Sequence, residues 1–359
     1  MLNNSGDIGF SPFNRWKALY HCNEMEQIAK GKFLPPFCVC TDPSNICNQK
    51  CYYCDSREYM KTNNTIMSRE HLLKLAAFYF DWGVKATIME GGGEPLVNNY
   101  IAEFITKCHT YDIETGLITN GSLLKKYYNV FVYYLSFCGI SFDSPNADIY
   151  RKIRGVDHFN IVTKQILTLN KLKQKYKSKL DVNIKVLICQ HNYKKIYEVA
   201  KLAKELGCNG VHIKPVATLN VPGVTKEYNC NYMKYVNDNI KRTLELSDEN
   251  FNVYFVLYKF GDNMDELLKF KKCNVSPISG VFGADGNFWI CYNRRGIKGF
   301  KLTEHYPDPY EVSRIWGSKF HKDFINKIKP ANCMRCGLTN YNEIYEKGVL
   351  KDSMFKRFL

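Results

Sequence analysis

The chain has 359 residues, 45% hydrophobic and 24% charged, with a formal net charge of +15. That length and balance suit one large α/β domain with a smaller appendage. No apolar run approaches the roughly 18 residues of a membrane span, and Met1-Leu-Asn-Asn-Ser-Gly-Asp7 is neither basic nor apolar enough for a secretory signal. In chain order, apolar runs predict strands over Phe37–Asp42, Val84–Glu90, Thr115–Thr119, Cys138–Phe142, Asn183–Cys189 and Gly210–Val216. Amphipathic stretches between them predict helices over His71–Trp82, Tyr100–Thr110, Asn160–Lys175 and Tyr193–Leu206, with two more over Tyr232–Leu246 and Met264–Lys271. Repeated βα units argue for a parallel sheet, whose chemistry belongs at the C-terminal ends of the strands.

Fifteen cysteines in a chain with no secretory signal point to metal or cluster ligation in a reduced, cytoplasmic protein. The excess of positive charge favours anionic partners. It also reads as compositional drift, because the chain is rich in Lys and Asn and lacks a nucleic-acid-binding motif. Lys171–Lys179 reads as one solvated helix face.

The densest chemistry lies just after the first strand, where Cys47, Cys51 and Cys54 form a C-x3-C-x2-C arrangement. Structural zinc wants four ligands, usually as two separated pairs. Three thiolates in eight residues suit three irons of a [4Fe–4S] cluster and leave the fourth iron open. The bland alternative is a fragment of a zinc ribbon. The second strand runs into Met89-Glu-Gly-Gly-Gly-Glu-Pro-Leu96, where glycines let the backbone approach a neighbour closely. The third ends in Thr119-Asn-Gly-Ser122, and the fourth in Ile140-Ser-Phe-Asp-Ser-Pro145 followed by Arg151-Lys-Ile-Arg-Gly155. Ser141 and Asp143 share a strand face by their spacing of two.

This order of motifs resembles the radical S-adenosylmethionine (SAM) superfamily. The resemblance implies an open, partial (β/α)6 TIM-type barrel with SAM chelated to the open iron. Reductive cleavage would then yield a 5′-deoxyadenosyl radical. It further implies SAM contacts at Gly92, Gly93 and Glu94, and at Asn120 in the "TNG" turn. Ser141 and Asp143 would serve the ribose, Arg154 the carboxylate, and Tyr53 is the aromatic that precedes the last cysteine. Ordinary turns, a helix cap and a surface arginine are the competing readings of these positions.

A second set follows, with Cys273, Cys291, Cys333 and Cys336, the last two as C-x2-C. Val281–Cys291 reads as a hairpin turning at Asp285-Gly286. Four thiolates could close a structural zinc site. The layout also resembles the small α+β twitch form of the SPASM extension, as in 2-deoxy-scyllo-inosamine dehydrogenases, which implies a second, closed [4Fe–4S] cluster. The expected parts are a helical lead-in over 1–36, the barrel over 37–217, a connector over 218–272 and the auxiliary domain over 273–359. Cys189, at a strand end, is either core or a thiol hydrogen donor. The expected activity is net oxidation of a polar small molecule or ribosomal peptide, by dehydrogenation or cross-linking. The substrate would carry anionic character, and a flavodoxin or ferredoxin would supply the electron. The rivals are redox-neutral epimerisation through a cysteine, and a zinc-stabilised nucleic-acid-binding protein.

Overall fold

The structure, a computed structural model, describes residues 15–216, 230–256, 270–330, 333, 336 and 338–350. Among the described residues ten strands form one continuous sheet. They are β1 (Cys38–Thr41), β2 (Ala86–Met89), β3 (Glu114–Thr119), β4 (Leu135–Ser141), β5 (Asp181–Ile188), β6 (Gly210–Pro215), β7 (Asn252–Phe255), β8 (Val281–Phe282), β9 (Asn287–Trp289) and β10 (Lys301–Glu304). The spatial order is β10-β9-β8-β1-β2-β3-β4-β5-β6-β7. Strands β1 to β7 pair in parallel, in sequence order. All six expected strands are present, and β7 adds a seventh from within the expected connector. It is fixed by pairing with β6.

Alternation along the strands explains the architecture. In β5, Val182, Ile184, Val186 and Ile188 are buried against the helical layer, while Asp181, Asn183, Lys185 and Leu187 point the other way. A parallel sheet is usually apolar on both faces. Here one face is polar because it lines the barrel interior, a property shared by His212 and Lys214 of β6. The outer helices are amphipathic. The helix Arg69–Trp82 buries Leu72, Leu75, Ala76, Phe78 and Tyr79. It starts at Ser68, whose hydroxyl accepts from His71 N, and stops at Gly83 in the left-handed region at φ +95. Helix Phe159–Lys175 buries Val162, Ile166 and Leu169, and its last turn carries Lys173 and Lys175.

The expected hairpin is β8–β9, with Gly286 at φ +80. It does not stand apart from the barrel. Strand β8 pairs in parallel with β1 through Cys40↔Val281 and Thr41↔Phe282. Two buried histidines add to this joint: His71 Nε2 lies 2.8 Å from His305 Nδ1, and His305 Nε2 lies 2.9 Å from the Gly283 carbonyl. The helix Cys22–Ala29 packs Met25 with Val275 and Tyr345, so the N-terminal segment docks on the auxiliary region. Helix Cys230–Leu244 matches the expected Tyr232–Leu246, whereas the expected Met264–Lys271 falls largely outside the described residues.

Candidate active site

A cavity of about 850 Å³ opens at the C-terminal ends of the strands. Cys47, Cys51 and Cys54 line it, on the loop that follows β1. Backbone contacts hold that loop from two sides. On one side Gly93 N donates to the Ser44 carbonyl (3.1 Å) and Glu94 N to that of Ile46 (2.8 Å). On the other, Lys50 N and Tyr52 N donate to the Arg154 and Ile153 carbonyls (3.0 and 3.1 Å), at the end of helix Ala147–Arg154. These free carbonyls of a helix terminus are natural acceptors.

The glycines are required by space. A Cβ at Gly93 would stand 2.3 Å from the Ile46 carbonyl oxygen, and one at Gly92 would stand 2.6 Å from Asn45 Oδ1. Glu94 is buried and braces the same region. It accepts from Leu96 N (3.1 Å), Thr119 Oγ1 (2.6 Å) and Asn120 N (2.7 Å). Burial raises its pKa against the pull of those three donors. Asn120 Nδ2 donates to Asn48 Oδ1 at 2.7 Å, tying the turn after β3 to the cysteine loop. Gly92, Gly93, Glu94 and Asn120 all line the cavity, and each also positions the loop that carries the three thiols.

Ser141 lines the cavity and makes no side-chain hydrogen bond among the described residues, so its hydroxyl is open to a ligand. Tyr53 and Arg154 line it too, but both are engaged by Asp143. Tyr53 OH and Arg154 Nη2 donate to Asp143 Oδ2, and Leu187 N donates to Oδ1 at 2.7 Å. Two expectations are therefore corrected. Asp143 is fully buried, does not line the cavity and accepts from three donors, so it is a brace between β4 and β5 and does not face a ribose. Cys189 is also off the wall, buried with Tyr53, Ile153 and Val216, and does not face the cavity as a hydrogen donor would.

Burial pushes the Cys47 thiol up to about 11 and that of Cys54 to about 12. Holding all three sulfurs as thiolates there requires a compensating cation, which is what iron supplies. The second set behaves alike. Cys273 feels Cys336, Cys291 and Cys333 as neighbours, so the chain gathers these four thiols from across more than sixty residues of sequence. Burial raises Cys273 well above the usual range and Cys291 to about 11. None of the fourteen described cysteine side chains is in a disulfide. Both donor sets fit iron–sulfur clusters. Among the described residues no three His, Cys, Asp or Glu converge as they would on a single ion; thiolates at the corners of a four-iron cluster stand farther apart.

Two cavity groups escaped the motif search. Lys214, at the end of β6, lines the cavity and makes no hydrogen bond or ion pair among the described residues; burial lowers its pKa. Its alternation with His212 in an otherwise apolar strand was the available signal. Arg295, four residues beyond Cys291, reaches back to Glu90 (3.0 Å) and to Asp42 (3.1 Å) at the ends of β2 and β1. Burial pushes Asp42 up to about 7 in spite of that guanidinium. Pairings of this kind leave no local trace in the sequence.

The sequence matches the profile of the Radical SAM superfamily over residues 41–236. The chain belongs to this superfamily, whose members bind a [4Fe–4S] cluster and SAM, and the zinc-stabilised nucleic-acid-binding alternative falls. Among curated relatives, a probable GTP 3′,8-cyclase of Saccharolobus solfataricus is 25% identical over 177 residues, 47% of this chain and 54% of that protein. A GTP 3′,8-cyclase of Helicobacter pylori is 35% identical over 116 residues, 31% of this chain and 36% of that one. The chain thus spans about half or less of the length of these relatives. Among solved structures, Streptococcus suis SuiB bound to SAM superposes with TM-score 0.64 at 16% identity, covering 92% of this chain and 78% of SuiB. SuiB bound to the precursor peptide SuiA gives 0.63 at 18%, with coverage of 93% and 77%. The enzyme anSMEcpe with bound AdoMet and a Cp18Cys peptide gives 0.58 at 17%, with coverage of 86% and 88%. At these identities the likeness is one of fold. Among the described residues no helix is long and apolar enough to cross a membrane.

Proposed function

We propose that this radical SAM enzyme holds two [4Fe–4S] clusters and carries out a net two-electron oxidation of a peptide or polar small molecule bearing an anionic group. One observation carries the reading: the first cysteine set and the residues that follow Cys291 of the second line the same cavity. Cys47, Cys51 and Cys54 line it directly, and Tyr292, Asn293 and Arg295, adjoining Cys291, line it from the auxiliary region. Cys47, Cys51 and Cys54 would hold the cluster whose open iron binds SAM; with one electron from a flavodoxin or ferredoxin, the bound SAM would supply methionine and a 5′-deoxyadenosyl radical able to take hydrogen from the substrate.

The chain's own residues position and exclude. Ser141 offers its hydroxyl to the SAM ribose, and the Gly91–Gly93 backbone and the remaining lone pair of Glu94 Oε2 face the methionine ammonium. Lys214, which makes no ion pair among the described residues, would pair with the anionic group of the substrate. Cys273, Cys291, Cys333 and Cys336 would saturate the second cluster, leaving no iron open there and electron acceptance as its chemistry. The folds shared with SuiB, which was solved with a precursor peptide, and with anSMEcpe, solved with a Cp18Cys peptide, favour a peptide. The burial of Cys189 away from the cavity wall weighs against epimerisation through that thiol.

Anaerobic reconstitution tests the reading. The protein should bind about eight irons, the content of two four-iron clusters. Replacing Cys47, Cys51 and Cys54 together by Ala should leave about half of that and abolish 5′-deoxyadenosine formation. Zinc at the second set, or 5′-deoxyadenosine from the triple variant, would refute it. In deuterated water, solvent deuterium appearing at a product carbon would turn the assignment to epimerisation.

A further inference from the structure

Arg154 is delivered to the cysteine loop by the helix it ends, and three groups meet there. Its Nη2 donates to Asp143 Oδ2 in an ion pair whose side chains are only 6% and 1% exposed. Its Nη1 lies 3.6 Å from Cys51 Sγ, a contact between residues 103 positions apart. Its Nε is buried and has no hydrogen-bond partner among the described residues. The Tyr53 ring stands 5.8 Å away and sends its hydroxyl to the same Asp143 oxygen. A guanidinium so tied cannot swing out to a ligand carboxylate without leaving Asp143 buried and unpaired, a costly exchange. It points instead at a sulfur.

We infer that Arg154 is a positioning residue for electron transfer: its N–H···S hydrogen bond to Cys51 raises the electron affinity of the cluster at Cys47, Cys51 and Cys54, and Asp143 fixes its aim and offsets part of its charge. The inference rests on the reading of those three cysteines as cluster ligands. Reduction adds one negative charge to the cluster, so a cationic donor at a ligand sulfur stabilises the reduced form. Hydrogen bonds to the sulfurs and net charge are known levers on such potentials. Burial keeps water and salt from screening the interaction. The carboxylate of Asp143 acts in the opposite sense from the far side of the guanidinium. Removing the cation and removing the anion should therefore move the potential in opposite directions, which a merely structural role would not do.

The experiment is a redox titration of the anaerobically reconstituted protein without SAM, followed by electron paramagnetic resonance, with SAM affinity measured in parallel by equilibrium dialysis. The signal missing from the Cys47/Cys51/Cys54→Ala variant identifies the first cluster. Arg154→Met should shift its midpoint to more negative potential, and Asp143→Asn to less negative. Arg154→Lys, which keeps the charge but not the fork, should fall between Arg154→Met and wild type. If Arg154→Met does not fold, the double variant Asp143→Asn/Arg154→Met leaves no unpaired buried charge, and its midpoint must lie below that of Asp143→Asn alone. An unmoved midpoint with SAM affinity lowered about tenfold or more, the size of a lost charge-assisted hydrogen bond, would overturn the inference and give Arg154 to the SAM carboxylate. Unmoved midpoints with unchanged affinity would overturn it as well. If wild type lacks the first-cluster signal altogether, the reading of the three cysteines fails, and the inference with it.

Discussion

Replacing Gly93 by Ala should damage this protein more than any other single methyl group added to its described glycines at ordinary backbone angles in the cavity wall. The added Cβ would meet the main chain of Ile46, 2.3 Å from its oxygen and 2.6 Å from its carbon and nitrogen. No rotamer change relieves a clash with main chain. Either the strain is absorbed, or the glycine-rich segment separates from the cysteine loop. Separation breaks the Gly93 N to Ser44 O and Glu94 N to Ile46 O bonds. Two hydrogen bonds and the overpacking they otherwise resist together come to about 2–5 kcal/mol. Gly299→Ala is the matched control, because a Cβ there meets nothing within 4 Å. Urea denaturation of the iron-free proteins should show the loss for Gly93→Ala alone. Iron content after reconstitution should fall too, since Cys47 follows Ile46 directly. If Gly93→Ala unfolds at the same urea concentration as Gly299→Ala and loads the same iron, the steric argument is wrong.

The His71–His305 pair should make the joint between barrel and hairpin acid-sensitive. Burial foremost holds His71 down to about 4 and His305 to about 3, below the unfolded value of about 6.5, so their contribution is present above that value and lost as pH falls towards 4. Urea midpoints at pH 7.5 and pH 5 (about two pH units apart across the unfolded histidine value) should show this drop, and His305→Phe with His71→Leu should reduce it. Arg295→Met should strip Asp42 and Glu90 of their shared cation; a buried pair broken on one side costs about 3–5 kcal/mol. Part of that cost will be returned by protonation of Asp42, which burial already raises and which loses its lowering guanidinium in the variant; a variant as stable as wild type from roughly pH 7 to pH 9 would count against the contact. Lys214, its pKa lowered by burial, should be acetylated by acetic anhydride at lower pH than the surface lysines when labelling is read by mass spectrometry. Labelling in step with Lys171 and Lys175 would mean that the ammonium is hydrated.

Local chemistry was readable in the sequence because it is written within a few residues. The spacing of Cys47, Cys51 and Cys54, the three glycines before Glu94, the period of two in β5 and the turn at Asp285-Gly286 are all set by backbone geometry over one loop or one strand. The same holds for the six strands whose apolar runs are long enough to carry a period. What only the tertiary structure decided is who meets whom across the barrel. Asp143 looked like a ligand-facing residue because spacing gives the strand face. Whether the wall stops in front of it or behind it is set by Leu187 of β5, by Tyr53 on the cysteine loop and by Arg154 on the next helix. Arg154 likewise meets a sulfur 103 residues away, and Arg295 a carboxylate more than two hundred residues away. The pairing of β8 with β1, which joins the hairpin before Cys291 to the barrel, is a matter of register between distant segments. Such contacts follow from burial: a charge taken out of water must find a partner in space, and its neighbours in sequence do not say which.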